Sequence, residues 1–195
     1  MAKGYTTRQA IENYLLITID PTFHAQVETW IEEIEAYIDN QTGRNFKADA
    51  VASARYFDGD NSSTLLIDDA VAITEVVLDS VNNPTIVELP ADYVSYPANR
   101  LPKTKIKMRG SYFPRGPLQA IKITGKWGFS VNVPADIVQA ATVLTAGIIN
   151  YSLNAEGEVA NMSIGRYSVT YKEEKQWQDF DRIKEILDSY KKFTF

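Results

Sequence analysis

The chain carries few side chains able to do chemistry. Among its 195 residues there is no cysteine and a single histidine, His24. Without Cys there is no disulfide, thiolate nucleophile, iron–sulfur cluster or Cys-ligated zinc. With one imidazole a His-rich metal site is excluded, and a Ser-His-Asp triad must use His24. No Gly-x-Ser-x-Gly elbow exists to present its serine, and His24 sits among polar neighbours off the apolar stripe of its segment. It reads as a solvated surface residue. Asp58-Gly59-Asp60-Asn61-Ser62-Ser63, with Asp69 beyond, echoes a calcium loop but lacks Gly at the sixth position and Glu at the twelfth. It reads as a turn. Gly125-Lys126-Trp127-Gly128 fits neither the dinucleotide nor the Walker pattern. Its glycines suit a strand turning into a helix, with Trp127 covering the junction. Paired carboxylates can hydrolyse glycosides without His or Cys, but nothing sets two apart among 25 acids. The chain is expected to be no enzyme and to hold no metal or cofactor.

Charge carries the remaining signal. Residues 100–126 hold eight bases (Arg100, Lys103, Lys105, Lys107, Arg109, Arg115, Lys122, Lys126) and no acid. Lys103, Lys105, Lys107 and Arg109 recur at period two, so a strand places all four on one face, alternating with Thr104, Ile106 and Met108. Such a face is either a patch for nucleic acid or an acidic partner, or an edge strand guarded by lysines against unwanted pairing. The rest is acidic: residues 1–50 carry four bases and eight acids, 131–195 seven and nine, and the whole chain is −5. A sequence-reading DNA binder is usually basic overall, which counts against that role. The C-terminal Lys191-Lys192-Phe193-Thr194-Phe195 ends on aromatics. These either tuck into the protein's own helices or anchor in a partner's groove.

The elements that must position these residues fall into three stretches. Thr6-Thr7-Arg8-Gln9 suits a capping box from Thr6 to Gln9, ahead of Ala10, Ile11, Tyr14 and Leu15 at helical spacing. Asp20-Pro21 opens a second helix, with Phe23, Val27, Trp30, Ile31, Ile34 and Ile38 on one stripe and Gly43 as its stop. Residues 54–57, 64–67, 73–78, 85–89 and 120–124 read as short strands, with 103–109 alternating. Asp58-Gly59-Asp60-Asn61, Asn82-Asn83-Pro84 and Pro97-Ala98-Asn99 are turns between them. Helix returns after Pro134, with Ile137, Ala140, Ala141, Leu144, Ile148 and Tyr151 apolar. Residues 162–171 are a strand or ordered loop. A last helix follows, with Trp177, Phe180, Ile183, Leu187 and Tyr190 on its stripe. The expected fold is α+β: a helical bundle from residues 1–50 and 131–195, with an antiparallel β-module, 51–130, inserted into it. No stretch approaches the roughly 20 apolar residues that span a bilayer. The start has no apolar h-region, so no secretory signal and a cytoplasm-like compartment are expected.

In this order the segments resemble a known family. A helix pair precedes a β-insert ending in Ile123-Thr124-Gly125-Lys126-Trp127-Gly128. Then come Val133-Pro134-Ala135-Asp136-Ile137-Val138-Gln139-Ala140-Ala141, Ser163-Ile164-Gly165-Arg166-Tyr167-Ser168-Val169-Thr170-Tyr171, and a final helix. The pattern is similar to the head–tail connector (head-completion adaptor) proteins of tailed bacteriophages and related gene transfer agents. Arg166 stands where members more often carry an acid, and the β-insert is larger than in many. The resemblance implies a virion structural protein of the neck, assembled in the host cytoplasm as a ring, usually of twelve copies, below the portal. Such a ring extends the channel through which DNA passes non-specifically and is the platform for a stopper or tail-completion protein. It also implies a portal-binding C-terminal segment, here Tyr190, Lys191, Lys192, Phe193 and Phe195. Arg100, Lys103, Lys105, Lys107 and Arg109 would then face a partner. The alternative is a nucleic-acid-binding module using the basic region 100–126.

Overall fold

The structure, a computed structural model, describes residues 2–87, 91–153, 161–164, 167–170 and 174–192; side chains are described at these positions except 151 and 153–180. The chain divides into two compact units: Met1–Arg44 with Val133–Phe195, and Asn45–Asn132. The fold is mixed α+β.

The first unit holds the helices. Thr7, in extended backbone, caps α1 (Arg8–Leu15) by accepting the Ala10 N–H at 3.2 Å. The cap is one residue later than the capping box expected from Thr6. The Thr6 side chain is buried instead, with its Oγ1 2.7 Å from Thr142 Oγ1. A buried hydroxyl needs a partner, and the one available is 136 residues away. The Asp20 carboxylate accepts from the Thr22 N–H and hydroxyl, and Pro21 opens a 3-10 turn that leads into α2 (His24–Thr42). Gly43, at φ +66°, closes α2 by donating to the Asp39 carbonyl. Val27, Ile31, Ile34 and Ile38 form the buried stripe as expected, whereas Phe23 stays half-exposed in the 3-10 turn, outside the helix.

Glu35 is buried on that same stripe, 2% exposed. Its carboxylate accepts the backbone N–H groups of Lys3, Gly4 and Tyr5. Asp39, one turn on, accepts from Lys3 Nζ and the Tyr5 hydroxyl. The amino-terminal arm is thus folded onto α2 by two carboxylates. Nothing local in the sequence distinguishes Glu35 from its solvated neighbours.

Helix α3 (Ala135–Leu153) packs against α1, α2 and α4 (Glu174–Tyr190). With helices on several sides it buries more than one stripe: Ile137, Ala140, Ala141, Leu144 and Ile148 as expected, and also Thr142, Thr145, Ala146 and Ile149. Its small residues let backbones approach, and Thr145 Oγ1 bonds back to the Ala141 carbonyl at 2.8 Å, so no hydroxyl is stranded. On α4, Ile183 and Leu187 are buried. The side chains of Tyr151, Trp177 and Phe180 lie outside the described ones. Between α3 and α4, β7 (Asn161–Ile164) and β8 (Tyr167–Thr170) pair antiparallel as a two-stranded sheet.

The second unit is a six-stranded antiparallel sheet of β1 (Ser53–Phe57), β2 (Thr64–Leu78), β3 (Thr85–Val87), β4 (Tyr93–Tyr96), β5 (Lys103–Met108) and β6 (Ile121–Trp127). The order is β1-β6-β2-β5-β4, with β3 also on β2. Two runs expected as separate strands, 64–67 and 73–78, are one fifteen-residue strand whose register shifts at bulges. The bulges let β2 pair with β5 along its first half and with β6 along its second. Strand β4 has no counterpart in the sequence reading, and residues 88–89 of the expected strand 85–89 lie outside the described residues. Leu65, Ile67, Val76, Tyr93, Ile106, Phe113, Ile121, Ile123 and Trp127 form the core.

Trp127 corrects an expectation. It does not cover a strand-to-helix junction but ends β6 inside the sheet core, 1% exposed, donating its indole N–H to the Ser53 carbonyl at 2.8 Å. Gly125 is mid-strand, where a Cβ would lie 2.5 Å from the Ala72 carbonyl oxygen. Gly128, at φ +137°, would place a Cβ 2.5 Å from Ala48 Cα. That close approach is part of a clamp in which Ala48 N donates to Ser130 O, Asp49 N to Trp127 O and Phe129 N to Asn45 O. Residues 45–50 therefore pack with the sheet.

Two stability outcomes follow. Gly128→Ala forces backbone apart at a left-handed φ and should cost about 3 kcal/mol, whereas Gly110→Ala, at φ +72° in open space, should cost about 1–2 kcal/mol. Glu35→Gln turns an acceptor into a donor facing N–H groups and should cost about 2 kcal/mol. Urea unfolding of each variant measures both.

Candidate functional site

The sequence-selected chemistry does not converge. His24, half-buried, lies with Nε2 3.2 Å from the Ile19 carbonyl oxygen. Asp60 holds a local turn by accepting the Ser62 N–H, while Asn61 accepts the N–H of distant Arg115. Asp58 accepts the Gln119 N–H at 2.6 Å. The loop 58–63 is thus laced to 113–119, leaving an open cleft of about 440 Å³ lined by Asp58, Asp60, Arg115 and Leu118. Among the described residues no three His, Cys, Asp or Glu side chains form a metal-holding group.

Two other sites are better defined. The first lies where α4 ends. The Tyr190 hydroxyl donates to both Asp136 oxygens, at 2.9 and 3.1 Å, and its carbonyl accepts from Arg44 Nε at 2.6 Å. Two residues on, Lys192 N donates to the Thr42 carbonyl at 2.8 Å. Exposed Lys191 pairs with Asp188 at 2.6 Å, an ion pair that lowers the Asp188 pKa. The end of α4 is thereby tied to the last turn of α2 and the first turn of α3. Burial, with the hydrogen bond and charge of Asp136 added, pushes the Tyr190 phenol up to about 12. Of the expected C-terminal contact residues, Tyr190 is committed inward, Lys191 and Lys192 follow it, and Phe193 and Phe195 lie outside the described residues. The contacts of Arg44 and Thr42 carry no sequence signal, because 146 or more residues separate them from their partners.

The second site is the basic strand. β5 is not an edge strand: β2 pairs with it on one side and β4 on the other. The lysine-guarded-edge reading is therefore wrong, because nothing is left there to guard. The register sets Lys105 between Leu66 and Tyr96, and Lys107 between Thr64 and Val94. Lys103 is turned to its own loop, donating to the Pro97 and Ala98 carbonyls at 2.6 and 2.9 Å. Lys107 is exposed, its Nζ 5.8 Å from the Tyr96 ring centre. Arg100 and Arg109 are exposed. Lys122, on β6, pairs with Glu75 at 3.0 Å. The run of eight bases is thus not one patch, and its usable part centres on Lys105 and Lys107.

No protein-family model matches the chain, and no curated protein matches it in sequence. Solved structures do share its fold. One, "Neck of native GTA particle computed with C12 symmetry", is similar at a TM-score of 0.54 and 16% identity, over 100% of this chain and 94% of that one. Another, "Neck of empty GTA particle computed with C6 symmetry", is similar at 0.55 and 16% identity, over 88% of this chain and 80% of that one.

Tyr190→Phe should cost about 1 kcal/mol at neutral pH by removing the bond to Asp136. Because the folded phenol titrates above its unfolded value, its contribution is whole below pH about 10 and is lost as pH rises toward about 12. Unfolding curves across that range should show the wild type converging on the variant.

Proposed function

We propose that the chain is a structural adaptor of the neck of a phage or phage-like particle. Copies form a ring, of twelve subunits, below the portal; the ring extends the DNA channel and offers a platform to a stopper or tail-completion protein. One observation carries this: a fold likeness over the whole chain to the neck of a GTA particle. The ordered motifs from Ile123 to Tyr171 point the same way.

The latch at Tyr190 gives this reading a working piece. A portal-binding tail must leave the subunit at a fixed point if a dozen tails are to meet a dozen sockets. Asp136, Arg44 and Thr42 set that point, and the tail from Lys191 to Phe195 carries the contact, with Phe193 and Phe195 as apolar anchors. Tyr190 contributes the position of the tail, its hydroxyl being engaged by Asp136.

The test is deletion of residues 191–195 in a strain producing the particles. The truncated protein should still fold, its urea midpoint lowered only by the loss of the Lys192–Thr42 bond and the Lys191–Asp188 pair (about 1 kcal/mol), yet be lost from purified particles by at least tenfold, measured by quantitative mass spectrometry. Undiminished incorporation would contradict the anchor role, and absence of the full chain from particles would contradict the neck reading.

A further inference from the structure

We propose that the face of β5 bearing Lys105 and Lys107 receives the acidic exposed side of α2 from a second copy of this chain. The inference rests on the neck-ring reading and adds which surfaces join neighbouring subunits.

Lys105 and Lys107 have no acid in register with them inside their own unit. β5 has strands on both sides, so its lysines do not protect an edge. The residues in register with Lys105 and Lys107 are Leu66, Tyr96, Thr64 and Val94, none of them acidic. The neighbouring acid on β2, Asp68, is committed to Arg55 at 2.6 Å. Leu66, directly beside Lys105, is 62% exposed. A leucine left in water beside cations on a strand paired along both edges gains by being covered.

The complementary surface lies on α2. Between His24 and Thr42 there are five acids, Glu28, Glu32, Glu33, Glu35 and Asp39, and no Lys or Arg. Glu35 and Asp39 hold the amino-terminal arm, while Glu28, Glu32 and Glu33 are exposed. With no Lys or Arg along α2, this side presents one charge sign, the complement of the β5 face.

Every copy carries both surfaces, and they differ. A two-fold contact of the basic face with itself sets lysine against lysine, whereas basic face on acidic helix runs head to tail. Head-to-tail contacts are the kind that close into rings. A second copy fits better than DNA because it uses both charge signs, and a chain of net charge −5 repels a polyanion outside its basic strand.

The chain's lack of cysteine makes the test direct. Lys107→Cys and Glu32→Cys are introduced together and singly, expressed in particle-producing cells, and treated with a short bis-maleimide in purified particles and on the isolated protein. The double variant in particles should give a ladder from dimer to ring-sized species, and each single variant no product beyond dimer. Adding Lys105→Glu should weaken the ladder at least tenfold, and Glu28→Lys should restore it. A particle-borne protein that gives no ladder, or only an internal cross-link within one chain, overturns the proposal while leaving the neck reading intact. Absence of the protein from particles sinks both. An unchanged ladder in the Lys105→Glu background, with salt-dependent DNA binding lost instead, overturns it in favour of nucleic acid.

Discussion

The architecture depends on how the inserted sheet closes on itself. Residues 45–49 enter the second unit beside residues 127–130 as they leave it, joined by the Lys47–Ser130 bridge and the backbone bonds from Ala48, Asp49 and Phe129. Gly128 permits this approach because any Cβ there would strike Ala48. In the helical unit, the end of α2 and the start of α3 sit within reach of one residue. That residue is Tyr190, whose carbonyl takes Arg44 and whose hydroxyl reaches Asp136. Within the helical unit these contacts tie the end of α4 to the end of α2 and the start of α3.

Polar groups inside the helical unit tighten the same arrangement. Glu35 is buried yet ionisable, a costly placement unless its oxygens are engaged, and three amides of the amino-terminal arm engage them. Thr6 and Thr142 satisfy one another across the unit. Among the described residues no buried side-chain nitrogen or oxygen lacks a partner. These interactions fix the geometry of the helical unit.

Much of this was legible in sequence where the determinant is local. Asp20-Pro21, Gly43 and the period of Val27, Ile31, Ile34 and Ile38 place α2, because caps and periodicity act within a few residues. The alternation of 103–108 places β5. What escaped was non-local. Whether β5 is an edge depends on β4, a strand of only four residues. Thr6 lost the cap to Thr7 because Thr142 lies opposite. Glu35 looked like any acid on α2 until the arm folded over it. Trp127 looked like a lid beside glycines whose real work is close backbone approach. The positions of Lys105 and Lys107 on a strand and of Lys191 and Lys192 after the last helix follow from local pattern. Arg44, Thr42 and the role of Asp136 needed the fold.

The proposed ring subunit would need two different lateral surfaces and a tail that starts at a defined point. The measurement that bears most directly on this account is an electron-microscopy reconstruction of the neck in particles purified from producing cells. The account predicts a closed ring of this chain between portal and tail, each subunit's residue 190 held at its helical unit and residues 191–195 running into the portal. Density for the chain elsewhere in the particle, or a neck built without it, would contradict the account.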